Sequence, residues 1–139
     1  MNIPIFPLDG VIFFPNTNLP LNIFEPRYIK MVDFALKNEK YIGMIQKQEN
    51  NELYSVGCLG KITSFEQTKD GRYIINLMGQ NYFTPIKEIK SKDKFRIALI
   101  DVLEQKINQE SKNINKINKI FLLQLYQKFM SQDSETLDI

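Results

Sequence analysis

The sequence contains no histidine and a single cysteine, Cys58, among its 139 residues. Without histidine, the chain lacks the commonest general base and the commonest metal ligand. One cysteine can form neither an internal disulfide nor, in the absence of histidine, a Cys–His pair or a thiolate zinc site. No clustered acidic loop suits calcium, so we expect no metal and no cofactor. Cys58 sits in an apolar segment, which favours a buried and unreactive thiol.

Long apolar runs and a strong net charge are also absent. The longest apolar runs are much shorter than the roughly 18 residues that indicate a membrane span. The N-terminal sequence MNIPIFPLDG lacks the charged and apolar regions of a signal peptide. The formal net charge of +2 gives little attraction to nucleic acid or to an anionic membrane. We therefore expect a cytoplasmic protein that does not bind membranes, and nucleic acid is disfavoured as a partner.

Alternating apolar residues dominate residues 1–104, and the 43% of apolar residues in the chain suffice for a core. They predict about six short strands, and Gly57, Gly60 and Gly79 mark bends within them. Asp70-Gly71, between two alternating runs, predicts a hairpin turn. These patterns indicate a mainly β fold with helices (α+β). We expect a curved, barrel-like sheet with one helix inserted early and another near the C-terminus.

The segment EPRYIKMVDFAL predicts the early helix. Pro26 suits the first helical position, and Glu25 favours the positive end of the helix dipole. Five residues at helical spacing predict one buried face: Tyr28, Met31, Val32, Ala35 and Leu36. We interpret Glu25-Pro26-Arg27 mainly as the architecture of a helix start, in which Arg27 forms a local ion pair or contacts a strand end.

Residues 105–139 differ from the rest in composition. Asn, Lys and Gln dominate residues 105–119, whereas residues 117–130 are apolar around more than one helical stripe. We expect a polar linker and a C-terminal helix at residues 105–139, following a β domain at residues 1–104. The apolar excess predicts a partner interface that includes Leu123 and Phe129, through which the chain self-associates or binds unfolded protein.

No segment that we considered has both the spacing and the predicted structure of a catalytic motif. GCLGKIT at residues 57–63 has the wrong spacing for a phosphate-binding loop, and the residues that follow it predict a strand rather than a helix. Ser55, Ser64 and Lys61 contain the groups of a Ser–Lys dyad, but no strained turn or nucleophile elbow surrounds them. A hydrolase with a cryptic Ser–Lys site is therefore the weakest alternative, and we expect no enzyme.

Four blocks in order carry a family resemblance: PIFPLDGVIFFPNTNLPLNIFEPRYIKMVDFAL (4–36), GCLGKI (57–62), DGRYIINLMG (70–79) and YFTPIKEI (82–89). They resemble the N-terminal, substrate-binding domain of the Lon protease family, and look closer still to stand-alone bacterial proteins that carry this domain alone. The resemblance extends over residues 3–104. Family members often have His, Gly and Arg where this chain has Asn22, Asn16 and Tyr82, so a binding role does not transfer to these positions.

The resemblance implies a pseudo-barrel related to the PUA fold, followed in longer relatives by a helical bundle of which the C-terminal helix expected here is the truncated start. It also implies a non-catalytic module that binds unfolded or tagged protein segments. On the residues themselves, Arg27 and Lys30 beside the apolar Phe14 and Phe24 predict a mixed patch that could hold such a segment. An RNA-binding PUA-like module is the alternative, because PUA relatives bind RNA. That alternative requires a coherent basic surface.

Overall fold

The computed structural model describes residues 1–11, 13–50, 52–89, 91–103 and 137–139. Seven strands and one helix lie within them: β1 (Asn2–Leu8), β2 (Asn18–Ile23), α1 (Pro26–Lys37), β3 (Tyr41–Gln46), β4 (Gly57–Gln67), β5 (Tyr73–Ile89), β6 (Arg96–Val102) and β7 (Leu137–Asp138). The prediction of a mainly β fold with an early helix is confirmed. No helix in the described ranges is long and apolar enough to cross a membrane.

Five of the strands close into a ring. β1 pairs in parallel with β3 and antiparallel with β6, β6 pairs with β5, and β4 pairs with both β5 and β3. The order β4-β3-β1-β6-β5 therefore returns to β4, which confirms the barrel-like sheet. Closure satisfies backbone groups that an open sheet would leave at its edges.

The long strand β5 pairs with β2 and then with β6 along its length. Its first part, Tyr73–Met78, pairs with β2, and its second part, Phe83–Ile89, pairs with β6. Gly79 lies between the two parts, where its backbone N–H and C=O bond to Thr17 and Asn16 at 2.8 and 2.9 Å. The predicted bend at Gly60 coincides with a register shift in the β4–β5 ladder.

Apolar side chains form two clusters, one between α1 and the sheet and one inside the barrel. The first contains Tyr28, Met31, Val32 and Ala35, four of the five helix residues predicted to be buried, while Leu36 is partly buried against it. The barrel cluster consists of Ile3, Ile5, Ile45, Leu59, Phe83, Ala98 and Ile100.

The C-terminal residues return to the β domain. β7 extends the sheet beside β2 in parallel register, and the N–H of Phe24 donates to the carbonyl of Ile139 at 2.9 Å. The predicted linker and C-terminal helix, with Leu123 and Phe129, lie outside the described residues.

Candidate functional site

The described residues contain no cluster of three or more His, Cys, Asp or Glu side chains that could hold a metal ion. Cys58 is buried in β4, as its apolar neighbours predict, and burial raises the pKa of its thiol to about 12. A thiol with such a pKa forms almost no nucleophilic thiolate at neutral pH. Cys58 is therefore a core residue.

Two residues of the weak Ser–Lys alternative, Ser64 and Lys61, lie on β4. Neither has the surroundings of a catalytic residue. Ser64 is exposed on the strand opposite Asn76, and it follows a register shift rather than a sharp strand-to-helix turn. The ammonium of Lys61 lies over the ring of Tyr41, 5.4 Å from its centroid, on the side of β4 that faces β3. Gly57–Gln67 is a continuous strand, so the phosphate-loop interpretation fails as expected.

The structure separates Phe14 from the other three residues predicted to form one binding patch. Phe14 is half-buried next to Gly79, at one end of the β2–β5 ladder. Phe24 follows Ile23 at the other end and is 48% exposed. Five steps along an antiparallel strand span about 17 Å. Phe14 and Phe24 therefore lie at opposite ends of the ladder, because the strand that joins them is extended.

Arg27 is held against the start of its own helix. Its guanidinium lies 3.5 Å from the carboxylate of Glu25 and 4.5 Å from the ring centroid of Tyr28. Pro26 occupies the first turn, while the Glu25 side chain makes no capping hydrogen bond to a backbone N–H. These contacts are the local ones that the architectural interpretation of Glu25-Pro26-Arg27 requires, and the guanidinium remains half-exposed.

Lys30 connects α1 to the hairpin formed by β5 and β6. Its ammonium lies 3.6 Å from the carboxylate of Asp93 in the hairpin loop. The rings of Phe34 and Phe95 pack beside this contact, with centroids 5.6 Å apart. The contact places the helix start and the hairpin loop on one surface, although more than 60 residues separate Lys30 from Asp93 in sequence.

We call this surface, made of the α1 start (residues 24–30) and the described residues of the hairpin between 86 and 96, the basic end. Its cationic residues are Arg27, Lys30, Lys87, Lys92, Lys94 and Arg96, and its acidic residues are Glu25, Glu88 and Asp93. Each acid forms an ion pair within the surface. The remaining surplus of three positive charges exceeds the formal net charge of +2 of the whole chain. In the described part of the chain, no ion pair engages Lys87, Lys92 or Lys94, which are exposed.

Exposed apolar side chains accompany these charges. Ile86 is 61% exposed and Ile89 is 37% exposed, both on the hairpin. Alternation from the buried Phe83 places Ile86 on the outward face of β5, and a register shift between Pro85 and Lys87 interrupts the ladder at this residue. Pro85 is compatible with such a bulge or with a sheet edge. Phe65 and Ile74 are also exposed, but they lie on the β4–β5 hairpin.

Comparison with known proteins shows which family and which relatives this chain is similar to. The model of the ATP-dependent protease La (LON) substrate-binding domain matches residues 2–138. The chain is 29% identical over 109 residues to a Lon protease of Parabacteroides distasonis, covering 73% of this chain and 13% of that protein. It is 30% identical over 80 residues to Lon protease 1 of Bdellovibrio bacteriovorus, covering 52% of this chain and 10% of that protein. The chain thus spans about an eighth or less of these two relatives.

Two solved structures share the fold. The Lon N-terminal domain protein from Xanthomonas campestris has a TM-score of 0.64 at 18% identity, covering 89% of this chain and 75% of its own. The N-terminal domain of the Mycobacterium avium complex Lon protease has a TM-score of 0.63 at 14% identity, covering 95% of this chain and 71% of its own.

Proposed function

Because the chain belongs to the family of Lon substrate-binding domains, we propose that it is a non-catalytic module that binds unfolded or tagged segments of other proteins. The observation that carries this proposal is the family match over residues 2–138. The described surface supports it, because exposed apolar side chains lie beside unpaired positive charges at the basic end. Such mixed surfaces suit extended polypeptides, which offer both apolar and charged side chains.

We place the binding site at the basic end, with Phe24, Arg27 and Lys30 among its residues. All three side chains are substantially exposed, and the α1 backbone fixes Arg27 and Lys30 three residues apart on neighbouring parts of its surface. Phe14 is left out of the proposed site because it lies at the far end of the β2–β5 ladder.

The proposal covers binding and not the proteolytic activity of the longer relatives. It assigns no metal, cofactor or catalytic residue. It retains the cytoplasm as the compartment, in keeping with the single buried thiol. Self-association through Leu123 and Phe129 remains a prediction on residues that the structure does not describe.

A binding assay with a permanently unfolded protein tests this function. Labelled α-lactalbumin that has been reduced and carboxymethylated is titrated with the full chain, and fluorescence anisotropy is recorded. We expect saturable binding of the unfolded protein and none of native α-lactalbumin. Phe24→Ser combined with Arg27→Gln should weaken the binding, because both an exposed apolar contact and a charge are lost.

The matched control is Ile74→Ser, which removes an exposed apolar side chain from the other half of β5 and should leave binding unchanged. Absence of saturable binding, or equal binding of native and unfolded protein, would contradict the proposal. Tight, sequence-selective binding of single-stranded RNA at physiological salt would instead favour the RNA-binding alternative.

A further inference from the structure

The β5–β6 hairpin carries both exposed aliphatic side chains and exposed lysines. Ile86 and Ile89 expose aliphatic side chains, and Lys87 and Ile89 lie on the same face of β5 because side chains alternate along a strand. The loop that follows adds Lys92 and Lys94, both exposed. Two exposed isoleucines and three exposed lysines therefore lie among the described residues between 86 and 94 of this hairpin.

The two acids between residues 86 and 96 are already paired, and the further acid of the hairpin, Asp101, lies opposite Thr84 at the end of the β5–β6 ladder away from the loop. Glu88 is paired with Arg96, and Asp93 is paired with Lys30 of α1. An incoming anionic group would meet Lys87, Lys92 and Lys94 without displacing an ion pair seen among the described residues. The charge of the surface thus complements a ligand that carries several negative charges.

From this arrangement we infer that the hairpin selects extended protein segments in which aliphatic residues alternate with acidic residues. The inference rests on the proposed function and names the class of segment that it takes. Ile86 and Ile89 contact the aliphatic side chains, while Lys87, Lys92 and Lys94 pair with the carboxylates.

The hairpin recognises side chains rather than adding a strand to the sheet. Pro85 has no N–H to donate to an incoming strand, and the register shift at Ile86 interrupts the regular spacing of the backbone groups on β5. Both features are devices by which sheets avoid edge pairing. The binding energy must therefore come from the exposed aliphatic and cationic groups.

The chemistry of the hairpin favours protein over nucleic acid. Single-stranded nucleic acids are bound mainly by stacking of bases on exposed aromatic rings beside cationic groups. The one aromatic side chain of the described hairpin loop, Phe95, is buried, and the exposed apolar groups are isoleucines. Isoleucine offers no flat surface for a base.

Labelled peptides of about 20 residues test the inference, a length that spans the hairpin when extended. One peptide alternates Glu and Leu in blocks broken by Gly and Ser. The second replaces every Glu by Lys, and the third replaces every Leu by Ser. We expect the acidic aliphatic peptide to bind about tenfold more tightly than either other peptide, and its affinity should fall as salt is raised.

Variants of the full chain assign the effect to the hairpin. Lys87→Gln, Lys92→Gln and Lys94→Gln together should weaken acidic-peptide binding about tenfold, the combined effect of three exposed ion pairs, and should reduce its salt dependence. Ile86→Ser with Ile89→Ser should weaken it about tenfold through lost apolar contact, without changing the salt dependence.

Two matched variants keep the test specific. The control triple variant Lys37→Gln, Lys40→Gln and Lys69→Gln lowers the net charge equally away from the hairpin, and Ile74→Ser removes an exposed aliphatic group elsewhere. Neither should change the affinity by more than about twofold, because long-range charge effects are screened at physiological salt. Far-UV circular dichroism verifies that each variant is folded.

Two unfolded proteins separate failure of the inference from failure of the proposed function. Carboxymethylated α-lactalbumin is acidic, whereas reduced and carboxamidomethylated lysozyme is basic. Equal binding of both, with no peptide preference, overturns the inference and leaves the proposed function standing. Binding of neither overturns both. Preferential binding of single-stranded RNA or of anionic vesicles that the hairpin variants abolish would also overturn the inference, because the ligand class would be wrong.

Discussion

Phe83 belongs to the barrel cluster, and its ring lies close to two glycines, Gly43 and Gly57. The ring is fully buried, and a Cβ atom added at Gly43 or at Gly57 would lie only 2.9 or 2.8 Å from it. Real Cβ contacts are essentially never that short. The ring therefore helps to exclude a side chain at both positions, together with Ile3 and Ile5 at Gly43 and with the carbonyl oxygen of Met44 at Gly57.

We predict that Gly43→Ala destabilises the protein by about 1–3 kcal/mol, the range for overpacking a core. The other close neighbours of its new Cβ are the flexible ends of Ile3 and Ile5. Replacing the ring should relieve the clash. The double variant Gly43→Ala with Phe83→Leu should therefore lose less free energy of unfolding than the two single variants lose in sum. We expect a coupling free energy of about 1–2 kcal/mol for residues in direct contact.

Gly57→Ala provides the control, because the carbonyl oxygen of Met44 lies 2.6 Å from its added Cβ. Phe83→Leu cannot move a backbone carbonyl of β3, so it should leave most of the Gly57→Ala cost in place. Urea unfolding followed by far-UV circular dichroism gives each free energy of unfolding. Wild-type stability of Gly43→Ala, or equal rescue of both glycine variants, would refute this account of the barrel core.

Four further predictions concern the helix and the buried side chains. The hydroxyl of Tyr73 donates to the carboxylate of Asp33 at 2.5 Å, so Tyr73→Phe should cost about 1–2 kcal/mol in urea unfolding at neutral pH; an unchanged midpoint would mean that the bond is not formed. This bond and burial raise the pKa of Tyr73 to about 12 from 10.0. The neutral phenol is therefore favoured in the folded state, and the resulting stability is complete below pH 10 and lost as the pH rises towards 12. Tyr73→Phe should make stability less sensitive to pH in that window, and an identical pH dependence would argue against the assignment. Cys58 should react with a thiol reagent only on unfolding, so its labelling rate should rise with urea along the unfolding transition; rapid labelling of the folded chain would contradict its burial. Glu25→Ala should cost only about 0.3–0.5 kcal/mol, because the carboxylate contributes its dipole interaction and an exposed pair with Arg27 but no capping bond; a loss well above 1 kcal/mol in urea unfolding would reveal a missing interaction.

The helix and the hairpin turn were predictable because their signals are local. The spacing of Tyr28, Met31 and Val32 identified the buried face of α1 before any packing partner was known. Asp70-Gly71 identified the β4–β5 turn, where Gly71 adopts a φ of 91° that suits glycine. Such features depend on residues a few positions apart, so the sequence pattern carries them directly.

The closure of the ring and the placement of the binding residues depend on contacts between distant segments. The bend of β5 at Gly79 was expected, but the change of partner from β2 to β6 across it depends on the register of three strands. Contacts between distant segments also place Phe14 far from Phe24 and Lys30 next to Asp93, and they form the basic end. The small net charge of the chain does not indicate this local surplus of positive charge.

The proposal that unfolded segments bind at the basic end is tested most directly by NMR. The uniformly ¹⁵N-labelled chain is titrated with the acidic aliphatic peptide, and amide chemical-shift changes are followed residue by residue. We expect the largest changes at residues 86–89 and 92–96 of the hairpin and at Phe24–Lys30, with little change on the β4–β5 hairpin around Phe65 and Ile74. Changes centred on Phe65 and Ile74, or no saturable changes in the chain, would contradict it.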